Sequence, residues 1–206
     1  MKLHDFKYYA LTLLAGIFSV LWGAHEPHAG AETYAAKVIE AAEQGSPEAQ
    51  CELGQMHHEG VGAPQDDQEA MRWYKKAAAQ GNANAQLNLG FMYDQGNGVP
   101  QDSKQALFWY GKAAEQGTPE AQFRLGEIFA GGLGVLQNEE VAYAWYSLAA
   151  TQGADKAAKR RDSIAETLTP ERLSQAKTLA AALQAEIDSK KTMPSVKNAM
   201  QKNTPH

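Results

Sequence analysis

The feature that most constrains this chain is a tandem repeat of 36 residues. Residues 46–81 align with residues 82–117 without a gap, and 18 of the 36 aligned residues are identical. A third copy follows at residues 118–153. The same step separates the glycines that close the units, which are Gly45, Gly81, Gly117 and Gly153. A fixed period of this length is typical of stacked structural units, because each unit buries its apolar surface against its neighbours.

Each unit is predicted to contain two helices. The first helix begins after a residue whose side chain can cap it, which is Ser46, Asn82 or Thr118. It ends at a Gly-x-Gly turn, where glycine can adopt the positive φ that closes a helix. The second helix begins after another capping residue, which is Asp66, Asp102 or Asn138.

The second helix has one continuous apolar face. In the first unit this face consists of residues with the spacing i, i+3, i+4, i+7 and i+8, namely Ala70, Trp73, Tyr74, Ala77 and Ala78. A single helix pair cannot bury such a face, so successive pairs must stack. The pattern therefore predicts an all-α solenoid with repeats at about 46–81, 82–117 and 118–153.

The segments on either side of the repeats are expected to close the array. Residues 32–44 read as a lone second helix at its start. Residues 154–189 lack the Leu-Gly step, and we predict a capping helix pair there. The last helix of this pair has a single apolar stripe, formed by Leu173, Ala176, Ala180, Leu183 and Ile187. Residues 190–206 contain two prolines and four lysines without a period, which predicts a disordered tail.

The N-terminus has the pattern of a secretory signal peptide over residues 1–31. Lys2 and Lys7 precede a run of 17 residues without formal charge, and the small residues Ala29-Gly30-Ala31 follow. We predict cleavage after Ala31 and a periplasmic or secreted domain of residues 32–189. The alternative is an uncleaved anchor helix, although the run falls short of the ~20 residues that span a bilayer.

Composition excludes several classes of function. The chain of 206 residues has a formal net charge of −5, so it offers no basic surface to nucleic acid. Cys51 is the only cysteine, which excludes an intramolecular disulfide and a multi-cysteine metal site. Leu87 and Phe123 hold the equivalent positions, so we interpret Cys51 as a small apolar side chain. Intermolecular pairing of this thiol is the alternative.

The unit resembles the Sel-one-like repeat, a relative of the tetratricopeptide repeats. The second unit carries the resemblance best, with A-x-A-Q-x-x-L-G from Ala83, the turn Gly96–Val99 and W-Y-x-K-A-A-x-Q-G from Trp109. The resemblance covers about residues 33–187, and His57, Phe129 and Leu136 depart from it. It implies a right-handed α/α solenoid that acts as an adaptor or scaffold for other proteins, without a shared chemistry.

No motif in the sequence indicates catalysis or cofactor binding. We therefore predict no enzyme activity, no cofactor and no metal. His57 and His58 are adjacent on a helix, so their side chains point about 100° apart, and no third ligand accompanies them. The repeated tryptophans could stack on sugars, but their periodic spacing favours packing between helices.

The candidate binding residues are those that vary between units. They form a stripe along the first helices, opposite the packing positions, and comprise Glu48, Glu52, Gln55, Glu59, Asn84, Asn88, Phe91, Gln95, Glu120, Arg124 and Glu127. First helices line the concave groove of tetratricopeptide-like arrays, and by this analogy the stripe is the binding surface. Phe91 replaces the Gln55 and Glu127 of its neighbours, so we expect an exposed aromatic anchor there. The alternative is a solvated face without a ligand.

The sequence thus predicts an exported, non-enzymatic adaptor that binds a cell-envelope protein or an extended peptide in the groove. Contact with a membrane is expected only through the transient signal peptide. Two alternatives stay open, which are a hydrolase-like envelope enzyme acting on cell-wall material and a periplasmic regulator of a membrane signalling protein. The oligomeric state is left open.

Overall fold

The computed structural model describes the backbone of residues 29–202 and the side chains of residues 34–190. The chain divides into two compact units, residues 1–36 and residues 37–206, and the repeats lie in the second. Of the first unit, only residues 29–36 are described, and they are helical. Residues 1–28, which hold most of the predicted signal peptide, lie outside the described residues.

The described residues form helices and contain no strand. The helices are α1 (Ala29–Glu43), α2 (Pro47–Glu59), α3 (Asp67–Ala79), α4 (Ala83–Gln95), α5 (Ser103–Glu115), α6 (Pro119–Gly131), α7 (Glu139–Thr151), α8 (Asp155–Thr167) and α9 (Pro170–Lys202). Each repeat contributes two helices of 13 residues. The prediction of an all-α repeat solenoid is confirmed. None of the described helices is both long enough and apolar enough to cross a membrane.

The ends of the helices follow the predicted capping chemistry. At the start of α3, Asp66 Oδ1 accepts a hydrogen bond from the backbone N–H of Gln68 at 3.0 Å. Asp102 and Asn138 cap α5 and α7 in the same way, whereas Thr118 precedes α6 without a side-chain hydrogen bond. The first helices end at glycines with φ of 71°, 75° and 66°, which are Gly60, Gly96 and Gly132. These residues therefore fix the length of each helix.

Within each repeat, a tyrosine of the second helix packs directly on a glycine of the first. A methyl group at Gly90 would lie 2.4 Å from Tyr110 Cδ1, so no larger residue fits beneath the ring. The equivalent pairs are Gly54 with Tyr74 and Gly126 with Tyr146. All three tyrosines are buried. The glycine of the repeated Leu-Gly step and the tyrosine of the repeated Trp-Tyr pair therefore contact each other in every repeat.

A buried glutamine joins each repeat to the one before it. Gln86 Nε2 donates a hydrogen bond to the backbone carbonyl of Ala78, at the end of α3, at 3.2 Å. Gln86 Oε1 accepts one from Gln116 Nε2 at 2.8 Å, and Gln116 also donates to the carbonyl of Gly81 at 2.9 Å. Gln50 and Gln122 occupy the same position in the other repeats. Because Gln50 bonds to Ala42 of α1, the residues before the first repeat serve as a second helix.

The helices α8 and α9 cover α7 at the C-terminal end of the array. Leu168 and Ala176 are buried in a cluster with Tyr143 of α7. Arg172 Nε donates to Glu140 Oε1 at 2.6 Å and holds α9 against the start of α7.

The helix α9 extends further than the sequence indicated. Its backbone is helical to Lys202, which differs from the irregular tail that we predicted from residue 190. Lys190 pairs with Glu186 one turn earlier at 2.8 Å and with Glu115 of α5 at 3.1 Å. These ion pairs favour continuation of the helix past Ser189. Residues 203–206 of the predicted tail lie outside the described residues.

Candidate functional site

The predicted stripe lies on the first helices α2, α4 and α6. Its exposed members are Glu48, Gln55, Glu59, Asn84, Gln95 and Glu120, and its partly buried members are Glu52, Asn88, Phe91, Arg124 and Glu127. The stripe crosses two boundaries between repeats. The first junction is the region between α2 and α4, and the second junction is the region between α4 and α6.

The first junction contains an open cleft of about 360 Å³. The side chains that line it are those of Glu48, Cys51, Glu52, Gln55, Asn82, Asn84, Leu87 and Asn88. Five of these belong to the predicted stripe. Cys51, Leu87 and Asn82 were not predicted as site residues. The signal that could have indicated Cys51 is its size, because the later repeats carry leucine and phenylalanine at this position.

The cleft exists because the first junction has smaller side chains than the second. Along the preceding first helix, Cys51 and Gln55 hold the positions that Leu87 and Phe91 hold one repeat later. Along the following helix, Asn84, Leu87 and Asn88 hold the positions of Glu120, Phe123 and Arg124, so five of the eight lining positions have larger side chains at the second junction. Glu48 and Glu52 are exceptions, because asparagines replace them one repeat later. The open cleft therefore lies at the junction where most of the lining side chains are smaller.

The second junction is filled by a stack of side chains around Phe91. The Phe91 ring meets the buried Tyr110 ring edge-on, with 5.5 Å between their centres. The guanidinium of Arg124 lies over the other side, 4.9 Å from the centre of the Phe91 ring. Phe91 is therefore partly buried. The expectation of an exposed aromatic anchor is corrected, because Tyr110 and Arg124 cover most of its ring.

The guanidinium of Arg124 is neutralised by carboxylates of its own helix. Its Nη2 atom lies 3.1 Å from Glu120 Oε1, and its Nη1 atom donates to Glu127 Oε2 at 2.9 Å. Three predicted site residues are thus engaged with one another and with Phe91. The guanidinium of Arg124 therefore occupies the second junction.

The first junction has the opposite charge balance. Glu48 and Glu52 line the cleft, and none of its eight lining residues is a lysine, arginine or histidine. Burial, together with the negative charges of Glu52 and Glu48, raises the pKa of the Cys51 thiol to about 11. The thiol is therefore protonated and weakly nucleophilic near neutral pH. The cleft is lined by two carboxylates, by the carboxamides of Gln55, Asn82, Asn84 and Asn88, and by the apolar side chains of Cys51 and Leu87.

The remaining stripe residues lie outside the cleft and form local hydrogen bonds. Gln55 reaches from the cleft to Glu59, with 2.8 Å between Nε2 and Oε1. Gln95 Nε2 lies 3.3 Å from the carboxylate of Asp94, its neighbour in the chain. Both contacts are exposed, so they contribute little to stability.

The two histidines join α2 to the residues that follow it. His58 Nδ1 lies 2.6 Å from Asp67 Oδ1, and His57 Nδ1 lies 3.0 Å from the backbone carbonyl of Pro64. In the part of the chain that the structure describes, no three His, Cys, Asp or Glu side chains converge on a possible metal position. The histidine contacts are accounted for by packing of the α2–α3 turn.

The chain is similar to known repeat proteins in both sequence and structure. The family model described as "Sel1 repeat" matches residues 47–82, 83–118 and 119–153, just over half of the chain. The structure is similar to c5321, a protective antigen of uropathogenic Escherichia coli strains with an SLR fold, with 35% identity and a TM-score of 0.69. It is also similar to a Sel1 repeat protein from Oxalobacter formigenes, with 32% identity and a TM-score of 0.55.

The matched regions differ in extent. The similarity covers 84% of this chain and 36% of c5321, and 61% of this chain and 57% of the Oxalobacter protein. A comparison with curated proteins found no match. Sel1 repeats generally mediate protein–protein interaction and are generally non-catalytic. The three consecutive matches, supported by two similar solved structures, show that the chain belongs to the Sel1 repeat family.

Proposed function

We propose that this protein is an exported adaptor that binds an extended segment of another protein along its first helices. The observation that carries this proposal is the cleft at the first junction, where five residues of the predicted stripe line one open space of about 360 Å³. The stripe varies between repeats while the packing positions recur, so the stacking of the helices does not fix the identity of the residues that line this cleft.

The chemistry of the cleft suits a polypeptide. Gln55, Asn84 and Asn88 carry carboxamides, each of which can donate to a backbone carbonyl and accept from a backbone N–H. Cys51 and Leu87 add apolar contact at the floor. Because the family generally binds proteins, a protein segment is the ligand class that agrees with both the residues and the fold. Sel1 repeats are generally non-catalytic, so we do not propose the hydrolase-like alternative.

The binding proposal is tested by site-specific photo-crosslinking in cells. A photoreactive amino acid at Asn84, exposed at the rim of the cleft, should capture a partner protein. The matched position is Gln105, exposed on the second helix α5, and it should capture none. Equal capture at both positions, or capture at Gln105 alone, would mean that the first helices are not the binding face.

Export is supported by the pattern of residues 1–31, with two lysines, an uncharged run and a small-residue site. We expect protein recovered from the cell envelope or the medium to begin at Glu32. Intact-mass measurement after fractionation decides this. A full-length chain in the cytosolic fraction would contradict export, and a full-length chain in the membrane fraction would favour the uncleaved anchor.

A further inference from the structure

We propose that the second junction binds a carboxamide side chain of the bound protein segment, a glutamine or an asparagine, and that the Arg124 side chain is a lid over this site. This inference rests on the proposed function and adds a second point of recognition, one repeat beyond the cleft. It is drawn from two buried polar atoms at the second junction that lack hydrogen-bond partners.

The Tyr110 hydroxyl is a buried donor without an acceptor. Tyr110 is 0% exposed, and its Oη atom makes no hydrogen bond with any described residue. A buried hydroxyl normally has a partner, because the hydrogen bonds to water that it loses on burial are costly to leave unreplaced. The equivalent hydroxyl one repeat earlier, that of Tyr74, is hydrogen-bonded to the carboxamide of Asn88. A carboxamide is therefore the group that pairs with this tyrosine elsewhere in the same array.

The Tyr110 hydroxyl lies at the base of the second junction. At the first junction, burial and the nearby Cys51 raise the pKa of Tyr74, and the hydrogen bond from Asn88 lowers it. Cys51 and Asn88 both line the cleft, so the Tyr74 hydroxyl lies next to it. Their counterparts one repeat later are Leu87, which packs on the apolar cluster of Tyr110, and Arg124. A guanidinium has no acceptor atom, so Arg124 cannot replace the carboxamide as a partner of the hydroxyl proton.

Arg124 covers the site with a side chain that is free to rotate. Its guanidinium stacks on α4 at 4.9 Å from the centre of the Phe91 ring. Its ion pairs, with Glu120 and Glu127, are both formed within α6. Its Nε atom is buried and has no acceptor among the described residues. Rotation away from Phe91 would give Nε access to water and can keep one of the two ion pairs, so a ligand can displace the guanidinium at small cost.

With the lid open, the second junction offers a partner for each part of a carboxamide. The Tyr110 hydroxyl can donate to the carboxamide oxygen, and the carboxylates of Glu120 and Glu127 can accept from its NH₂ group. The planar amide can pack on the ring of Phe91. A bound carboxylate would be repelled by the two glutamates, and an apolar side chain would leave the hydroxyl unpaired. The groups at this junction therefore select a neutral side chain that both accepts and donates.

The test uses the full-length protein and short synthetic peptides of serine, alanine and glycine with glutamine, glutamate or methionine at the centre. Binding is followed by ¹⁵N nuclear magnetic resonance of the arginine Nε–H groups, in which the Arg124 signal is assigned by its loss in Arg124→Lys. The glutamine peptide should shift this signal and accelerate its exchange with water. It should also bind roughly threefold to tenfold more tightly than the methionine peptide, because of the hydrogen bonds that it adds.

Removal of the hydroxyl provides the matched comparison. Tyr110→Phe should lose the preference for glutamine over methionine, whereas Tyr74→Phe, the same change at the first junction, should keep it. Equal binding of the glutamine and methionine peptides to the native protein, or tighter binding of the glutamate peptide, would overturn the proposal. So would shifts of the Arg124 signal that depend on protein concentration without peptide, since a second copy of the chain would then be the occupant.

Thermal melts of the same two variants test the state without peptide. Tyr74→Phe breaks the hydrogen bond to Asn88 and should melt below the native protein. Tyr110→Phe removes an unpaired hydroxyl and should melt at or above the native temperature. If Tyr110→Phe is as destabilising as Tyr74→Phe, the hydroxyl already has an acceptor, such as an internal water molecule, and the proposed site is wrong.

The lid is tested by its removal. Arg124→Ala should bind the glutamine peptide roughly twofold to fivefold more tightly, because the contact between the guanidinium and the Phe91 ring no longer has to be broken. The control Arg72→Ala removes a similar contact between a guanidinium and the Trp73 ring, on the second helix α3, and should leave the affinity unchanged. Unchanged or weaker binding in a folded Arg124→Ala protein would show that Arg124 is not a lid.

The two proposals fail in different ways. If a partner crosslinks at Asn84 while the peptides bind without preference for glutamine, the adaptor function stands and the carboxamide site is wrong. If no partner is captured at Asn84 while the glutamine peptide displaces Arg124, the carboxamide site stands and the adaptor function is wrong.

Discussion

At the scale of single residues, the buried glutamines show how a polar side chain can belong to the core. Gln86 is 5% exposed, and both ends of its amide are hydrogen-bonded, to Ala78 and to Gln116. A buried polar group is costly only when it lacks partners, so this amide fixes the contact between two repeats at little cost. The sequence shows that the glutamine recurs, but the period alone does not tell what it bonds to.

Replacement of Gln86 should therefore destabilise the array. Gln86→Ala leaves the Gln116 amide with one partner fewer and removes a hydrogen bond from the end of α3, so we expect a loss of about 1–3 kcal/mol in the free energy of unfolding. Gln95→Ala, at an exposed position, should change it by less than about 0.5 kcal/mol. Denaturant unfolding measures both. Equal stability of the two variants would show that the buried amide does not hold the repeats together.

The reactivity of the Cys51 thiol depends first on its burial and then on the nearby charges of Glu52 and Glu48. Its pKa of about 11 predicts that alkylation by iodoacetamide accelerates about tenfold per pH unit up to pH 10, without a plateau. In urea, the rate should level off near pH 9.0, the ordinary pKa of a cysteine thiol that is exposed to water. Because the pKa is higher in the folded state, the thiol's contribution to stability is complete below about pH 9 and is lost as the pH rises towards 11. A native plateau near pH 9 would contradict the burial of the thiol beside Glu52 and Glu48.

At the scale of the helices, features that lie within one helix can be predicted from the sequence, whereas contacts between different helices cannot. Capping residues and apolar faces are local, since each acts within one helix. Every predicted cap except Thr118 forms its side-chain hydrogen bond, and the predicted apolar face of α3 is buried. The packing of Phe91 is not local, because its ring is covered by Tyr110 and Arg124 from two other helices. Sequence variation marked Phe91 as different from its counterparts but gave no measure of its exposure. The cleft depends in the same way on residues about 36 positions apart.

Two glycines in helices make a matched pair for the packing of α4 on α5. Gly90→Ala places a methyl group 2.4 Å from Tyr110 Cδ1 and should destabilise the protein by about 1–3 kcal/mol, since the buried ring has no room to move. Gly111 lies in the middle of α5 with nothing within 4 Å of an added methyl group. Gly111→Ala should therefore stabilise the protein by about 0.5–1 kcal/mol through helix propensity.

Thermal melts of the two glycine variants test the helix contact directly. The same substitution is made in both, so differences in chemistry cancel and only the surroundings remain. A Gly90→Ala protein that melts at or above the native temperature would mean that the two helices can separate without loss.

At the scale of the whole molecule, stability is expected to depend on neighbouring repeats and on the cap. Each repeat contacts the one before it and the one after it, as is general for solenoids, so a face left without a neighbour is exposed. The cap buries Tyr143 of α7 in a cluster with Leu168 and Ala176, and Ala144 and Leu148 of α7 are also buried. The charge pattern of α9, with an apolar stripe on one side, indicated this role from sequence.

Removal of the cap should expose the last repeat. A chain that ends at Gly153 loses the partners of Tyr143, so we expect a lower melting temperature and concentration-dependent association through the uncovered face of α7. A chain that ends at Lys190 keeps the described cap and should stay as stable and as monodisperse as the full-length chain. Sedimentation and thermal melts distinguish the two. If both shortened chains behave alike, the cap does not protect the array.

The repeated glutamine contact has a consequence for how such chains change in length. Gln50, Gln86 and Gln122 each bond to a carbonyl of the preceding helix, at 3.1, 3.2 and 3.3 Å, and each accepts from the glutamine that ends its own repeat. The same pair of hydrogen bonds therefore recurs where each repeat meets the preceding helix. A duplicated repeat inserted in the middle of the array would meet the same hydrogen-bond donors and acceptors at both of its ends. Repeats can therefore be gained or lost without other changes at the contacts between them. The side chains exposed between two units are then renewed each time, and recognition can diversify on a scaffold whose connections stay constant.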